Sequence, residues 1–252
     1  MIGVFFFIGL FIGSFLLVVI ERFPRQESIL FGRSHCDMCG RTLAWYDLIP
    51  LLSYIQLHGK CRYCHKAYGL QYPIVEITTA GIFTSIPIFF PSVSLWQYTM
   101  LGILMSTFIV VFFCDFFYGL IPDIALLIAL FASAFLVSGS FFGFLLHIFV
   151  GVCSFVFFLA LYFGTKRKGM GLGDVKLAFV MGFLLGYPSI ILALYLAFLT
   201  GAAVALILIV SKKRKFHGGT ISFGPFLILG TYSSLIGGIF LWNFFLNILL
   251  KP

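Results

Sequence analysis

The 252-residue sequence predicts an all-α polytopic membrane protein of about eight transmembrane helices, with a small cytosolic loop domain carrying paired cysteines. Three observations predict it. Hydrophobic residues make up 62% of the chain and charged residues only 10%, against about 25% charged in a soluble domain. The apolar residues gather in runs near the ~20 residues that a spanning helix needs. The basic residues gather in short clusters between those runs, which is a topology signal.

The elements follow in order. Ile2 to Ile20 is an uncharged run of nineteen, closed by Glu21 and Arg22. No basic region precedes it and no small-residue cleavage site follows, so it reads as an anchor and not as a removed signal. Ile74 to Phe90 is a second span with Glu76 near its start, and Leu95 to Tyr118 a third with Asp115 near its end. Ile124 to Gly164 lacks Lys, Arg, Asp and Glu and is long enough for two spans, with Ser138-Gly139-Ser140 as the turn. Val175 to Val210 also fits two, broken at Gly186-Tyr187-Pro188-Ser189, and Phe223 to Leu250 gives the last. Residues 1–20 thus form a first helix, 21–73 a cytosolic loop domain and 74–252 a seven-helix membrane domain.

Charge orients the chain. Residues 21–72 hold seven Lys and Arg, residues 164–176 hold Lys166, Arg167, Lys168 and Lys176, and residues 211–219 hold Lys212, Lys213, Arg214 and Lys215. With eight spans and the N-terminus outside, these fifteen share one face and only Lys251 takes the other. The basic side is the cytosol. The net charge of +8 comes with no basic stripe on a soluble reading domain, which argues against a nucleic-acid partner.

The first cytosolic loop contains HCDMCG and GKCRYCHKAYG. Cys36 and Cys39, then Cys61 and Cys64, form two CxxC pairs separated by twenty-one residues. Each such turn aims two thiolates at one point, and two turns make a closed four-sulfur structural zinc site. Two disulfides or free thiols are the alternative; a cytosolic position keeps thiols reduced and favours zinc. A loop of this size also needs a metal staple in place of a core. His35, His58 and His65 read as surface histidines beside the ligands, and Cys114 and Cys153 as small buried apolar residues. Asp47 and Trp45 read as residues folding the loop onto the membrane surface.

Of the eight acids, Glu76, Asp115, Asp123 and Asp174 lie in or at the ends of spans, all toward the cytosolic side. Acids placed there are candidates for function because an Asp at a helix centre costs about 2.5–3.5 kcal/mol to insert. Asp115 lies in CDFFYGLIPD and Asp174 in GMGLGDVKL, where glycines permit close helix approach. Two carboxylates meeting there would share a proton: the ionised one activates water while the protonated one polarises a scissile carbonyl. Local alternatives stand beside this reading. Asp123, after Pro122, suits a helix cap, as Asp174 does. Glu76 could pair with a loop Arg. Lys176 either snorkels to the interface or lowers the Asp174 pKa.

The segments GSFLLVVIERFP, HCDMCGRTLAWYDLIPLLSY, GKCRYCHKAYGLQYPIVE, DFFYGLIPD, GLGDVKLA and ISFGPFLILG, in this order, resemble the type IV prepilin peptidase family over the whole chain. The resemblance implies a GxGD-type aspartic endopeptidase of the bacterial cell membrane. It would cut type IV prepilins and pilin-like proteins of pilus, secretion or competence systems at the cytosolic face, before their hydrophobic helix. It puts the catalytic pair on Asp115 and Asp174. It also implies N-methylation of the new N-terminus from S-adenosylmethionine, a reaction associated with the cysteine loop, in which Glu76 is a candidate helper. Leu17 stands where the motif has Asn, and Glu21 where it has an aromatic residue or His, so cleavage without methyl transfer is the alternative. An ion-coupled transporter also buries acids, but it would show repeats and broken helices near mid-membrane. The acids here lie at one face, and the chain shows no repeat.

Overall fold

A computed structural model describes residues 1–29, 32–165, 169–211 and 222–249. The basic clusters at 166–168 and 212–215, and Lys251, lie outside the described residues. The chain divides into two compact units, Met1–Val110 and Val111–Pro252, with the division falling inside the fourth helix.

The first unit contains α1 (Ile2–Arg22), a 3₁₀ turn (Trp45–Leu48), the short α2 (Leu52–Gln56), α3 (Gln71–Phe89) and the start of α4 (Leu95–Tyr118). Helices α1 and α3 pack at backbone distance because Gly9 and Gly13, four residues apart, share one face of α1. A Cβ at Gly9 would lie 2.7 Å from the Ala80 Cα, and one at Gly13 would lie 2.9 Å from the Glu76 Cα. Small residues allow such approach where lipid supplies no hydrophobic drive. Leu10, Leu16, Leu17 and Ile20 of α1 are buried, as are Val75, Ala80 and Phe83 of α3. The buried Thr79 hydroxyl donates to the Val75 carbonyl at 2.7 Å, so no polar group is left unsatisfied there.

The second unit holds the end of α4 and then α5 (Asp123–Val137), α6 (Phe141–Gly164), α7 (Leu172–Leu185), α8 (Ser189–Val210) and α9 (Gly224–Leu249). The expected turns fall where glycine, proline and serine interrupt the apolar runs. Helix α6 starts on Ser140, whose hydroxyl accepts the Gly143 N–H at 3.1 Å. Helix α7 is the hub, packed against α5, α6 and α9. Its Gly182 sits against Ser154 and Gly151 of α6, where a Cβ would meet the Ser154 Oγ at 2.6 Å.

All eight apolar segments are helical. Among the described residues five helices, α1, α3, α4, α6 and α8, are long and apolar enough to cross a membrane. Helices α5 and α7 have 15 and 14 residues, about 22 Å each at 1.5 Å per residue. They are short because each starts late, after a proline or glycine segment that serves the site described next. Cys114 is buried, but Cys153 is exposed on α6, so only the first fits the expectation of a buried apolar cysteine.

Candidate functional site

The second unit brings Asp115 and Asp174 to one cavity of about 560 Å³. Each is 6% exposed. Asp115 stands in the last turn of α4. The helix ends at Gly119, whose φ of +66° suits a left-handed cap and whose N–H donates to the Asp115 carbonyl at 2.9 Å. The chain then runs through Leu120, Ile121 and Pro122 into α5. Asp174 is the third residue of α7, and its Oδ2 accepts the N–H of Gly171 at 3.0 Å. It therefore closes the first turn of its own helix, as the capping alternative expected. Its Oδ1 is buried, and no donor among the described residues reaches it.

Two glycines and Ile121 set the approach. A Cβ at Gly173 would lie 2.9 Å from the Ile121 Cβ, and one at Gly224 would lie 2.5 Å from the Asp115 Oδ2 and 3.3 Å from the Ile121 Cδ1. Gly224 and Ile121 had no assigned role in the sequence reading; the contact joins residues more than a hundred positions apart and leaves no local signal. Two local readings are corrected. Asp123 makes no side-chain cap, because Pro122 occupies the N-cap position. Lys176 instead donates to both Asp123 carboxylate oxygens, at 2.7 and 2.9 Å. It ties α7 to α5 and is not simply extended into the interface.

In the first unit, Cys36, Cys39, Cys61 and Cys64 converge with all ligand atoms within 4.8 Å, a group that could hold a metal ion. All four are free thiols, which sets the disulfide alternative aside. The two knuckles are built alike. Cys36 N–H donates to Arg41 O and Gly40 N–H to Cys36 O; Cys61 N–H donates to Lys66 O and His65 N–H to Cys61 O. Gly40 and His65 take φ of +68° and +57° at matching positions. The Cys36 and Cys64 sulfurs stand 3.9 Å apart, against about 3.8 Å for two sulfurs bound tetrahedrally at ~2.3 Å from one ion. Burial opposes the Cys61 thiolate, but N–H donors of Cys64 and Tyr63, helped by Tyr68 and Cys36, outweigh it and bring the thiol down to about 6. Asp47 holds the knuckles from beneath, accepting from Ala44 N–H, Arg62 Nε and the Tyr63 hydroxyl. It folds the loop onto itself, while Trp45 of the same turn stays exposed.

Between α1, α3 and this loop lies a second cavity, of about 120 Å³, lined by Glu21, Glu76, Tyr54, Tyr68 and Tyr72 among others. Among the described residues Glu76 pairs with no loop Arg, contrary to one reading of it. Its Oε2 accepts the Leu51 N–H at 2.8 Å. Leu51 has φ +58°, where a non-glycine residue is uncommon, and the Glu76 bond helps hold it there. Glu21 accepts from Gln71 at 2.8 Å. Asp37 and Asp47 have cationic partners in Arg25 and Arg62, whereas the bonding partners of Glu21 and Glu76 are neutral. Leu17 lines the same cavity.

Comparison with known proteins gives consistent results for both units. Residues 7–90 match the Bacterial Peptidase A24 N-terminal domain, and residues 102–206 match the Type IV leader peptidase family. A Bacillus subtilis protein named prepilin leader peptidase/N-methyltransferase is 32% identical over 99% of this chain and 100% of its own length. One from Pseudomonas aeruginosa with the same name is 30% identical over 92% of this chain and 88% of its own. A third, from Myxococcus xanthus, is 34% identical over 83% of this chain, which spans 63% of that protein's length. No solved structure is significantly similar.

Proposed function

The chain belongs to the prepilin leader peptidase/N-methyltransferase family, and from that membership we propose that it is a membrane aspartic endopeptidase that removes the leader of type IV prepilins and pilin-like proteins, then methylates the new N-terminus. The observation that carries the proteolytic half is that two buried acids, Asp115 and Asp174, line one cavity.

In this reading the pair holds one proton between two carboxyl groups and titrates as a unit. The ionised carboxylate takes a proton from water as its oxygen attacks the scissile carbonyl. The protonated partner donates to the carbonyl oxygen; as the tetrahedral intermediate collapses, the carboxyl that took the water's proton passes it to the leaving amine, and its partner recovers a proton from the intermediate's hydroxyl. The Gly171 N–H on Oδ2 fixes the Asp174 carboxyl, so that Oδ1 faces the reacting atoms.

Zinc is the metal assigned to Cys36, Cys39, Cys61 and Cys64. Four thiolates at tetrahedral spacing suit it, and a closed set leaves no open position for chemistry, so its role is structural. The methyl-transfer reaction is assigned to the cavity of the first unit. Its lining holds five acids (Glu21, Glu27, Asp37, Asp47 and Glu76) against three cations (Arg22, Arg25 and Lys60); this acidic excess and the tyrosine rings fit a cation, and both S-adenosylmethionine and a peptide ammonium are cations. S-adenosylmethionine, when bound, supplies an electrophilic methyl group. The part of the chain is to orient the amine: Glu76 accepts its proton and leaves the nitrogen lone pair free. Leu17, apolar in the wall of this cavity, favours the second reading, cleavage without methylation. The basic loops favour the cytosolic face of the bacterial inner membrane, with the N-terminus outside.

The test is co-expression with a prepilin, followed by intact mass of the product's N-terminal peptide. Loss of the leader plus one methyl group is expected. An uncut prepilin contradicts the endopeptidase, and a cut but unmethylated product selects the second reading. Glu76→Gln is expected to leave cutting intact and remove the methyl group.

A further inference from the structure

A groove of about 520 Å³ opens between α5, α6 and α7 in the second unit. Leu126 and Val180 form its floor, and Leu127, Leu130, Val152, Phe155 and Phe179 its walls. The floor residues are buried, whereas Leu127 and Val152 on the rims are 66% and 45% exposed. The polar side chains lining it are Asp123 and Lys176, paired with each other. These two also line the cavity that holds Asp115 and Asp174. The acid cavity and the apolar groove are therefore neighbours, with the ion pair as their common wall.

Resting on the endopeptidase reading above, we propose that this groove receives an apolar helical segment of the substrate, and that the Asp123–Lys176 pair marks the step from the cleaved peptide to that helix. The argument is about hydrogen bonds. The acid cavity is lined by the Gly169–Gly173 backbone, by acids and by Ser222. An extended peptide lying there finds donors and acceptors. Past the ion pair, the walls are carbon. A chain continuing into the groove has to satisfy its own backbone, and in an apolar medium a lone segment does so only as a helix. Its side chains have to be apolar to match leucine, valine and phenylalanine. Asp123 supplies an acceptor where the helix begins and its first N–H groups lack partners, and Lys176 a donor for a carbonyl of the peptide before it. The groove thus selects substrates whose scissile bond stands just outside an apolar helix. A lipid chain would also suit the walls, but it explains neither the continuity with the acids nor the charged pair at the junction.

The test compares two substrates: a prepilin retaining its apolar segment, and a peptide with the same cleavage junction that stops before it. Leu130→Trp fills the groove from one wall and Val152→Trp from another. Each is expected to raise KM about tenfold for the long substrate, with kcat within twofold, and to leave the short peptide unaffected. In a Cys153→Ser background, Leu127→Cys is expected to crosslink to a single cysteine in the substrate's apolar segment, and Ile128→Cys, on the next face of α5, is not. An unchanged KM for the long substrate, an equal rise for both substrates, or a photoreactive phospholipid labelling Leu127→Cys undiminished by substrate overturns the groove assignment. If the wild-type protein cuts neither substrate, the endopeptidase reading fails; if it cuts both and the tryptophan variants do so unchanged, only the groove fails.

Discussion

Gly224 lacks a side chain at a position where one would strike the Asp115 carboxylate. A Cβ there stands 2.5 Å from Oδ2, closer than any real contact, so Gly224→Ala has to move Asp115 or α9. Displacements near 1 Å cost on the order of 100-fold in rate. The variant is expected to fold, as judged by circular dichroism, and to cut prepilin about 100-fold more slowly with little change in KM. At this scale the sequence was legible where chemistry is local. An acid followed by apolar residues at a helix end, and an acid in a glycine-rich entry to a helix, announce themselves. Gly224 and Ile121 did not, because their importance lies in contacts made by folding. Asp123 and Lys176 were misread for the same reason: each was explained by its own helix, as a cap and as an interface anchor, whereas each is the other's partner across α5 and α7. That pair is half-exposed or more on both sides, so removing it is expected to cost no more than about 1 kcal/mol of stability, readable as a small shift in Tm.

Elements repeat the lesson. Turn chemistry placed the helix boundaries well: Ser138-Gly139-Ser140 separates α5 from α6, and Gly186-Tyr187-Pro188 separates α7 from α8. What composition could not reveal was the shortness of α5 and α7, set by where the Ile121 and Gly173 segments must cross to build the cavity. The cysteine knuckles were legible from spacing alone, since two CxxC turns have few uses in a reduced loop. Cys36→Ser or Cys61→Ser is expected to reduce bound metal from about one zinc per chain to none, measured on purified protein. Full retention of metal would contradict the four-thiolate site. The Gly9 and Gly13 seam carried a readable signal, two glycines four apart in an apolar helix, that went unused. Gly13→Leu forces α1 from α3 beside Glu76. It is expected to lower methylation at least tenfold while cutting continues, read from the ratio of methylated to unmethylated product.

At the scale of the whole molecule, the proposed function divides two chemistries between the two units. The first unit holds the thiol cluster and the small acidic cavity; the second holds the aspartate pair and the apolar groove. Variants in one are expected to spare the reaction of the other. Composition and loop charge made the membrane class legible from the start, because nothing but lipid accommodates so many apolar runs. Which acids converge on one cavity was a matter of tertiary structure, and Asp115 and Asp174 both line the one in the second unit. The most direct test of that convergence is the initial rate of prepilin cleavage by Asp115→Asn, Asp174→Asn and the double variant in membranes, with insertion verified for each. Groups that act as a unit lose their effect together, so each single change is expected to lower the rate by about 10³-fold or more, and the double change no further. A single variant that cuts within a few-fold of wild type, or losses that multiply in the double variant, would contradict a shared-proton pair.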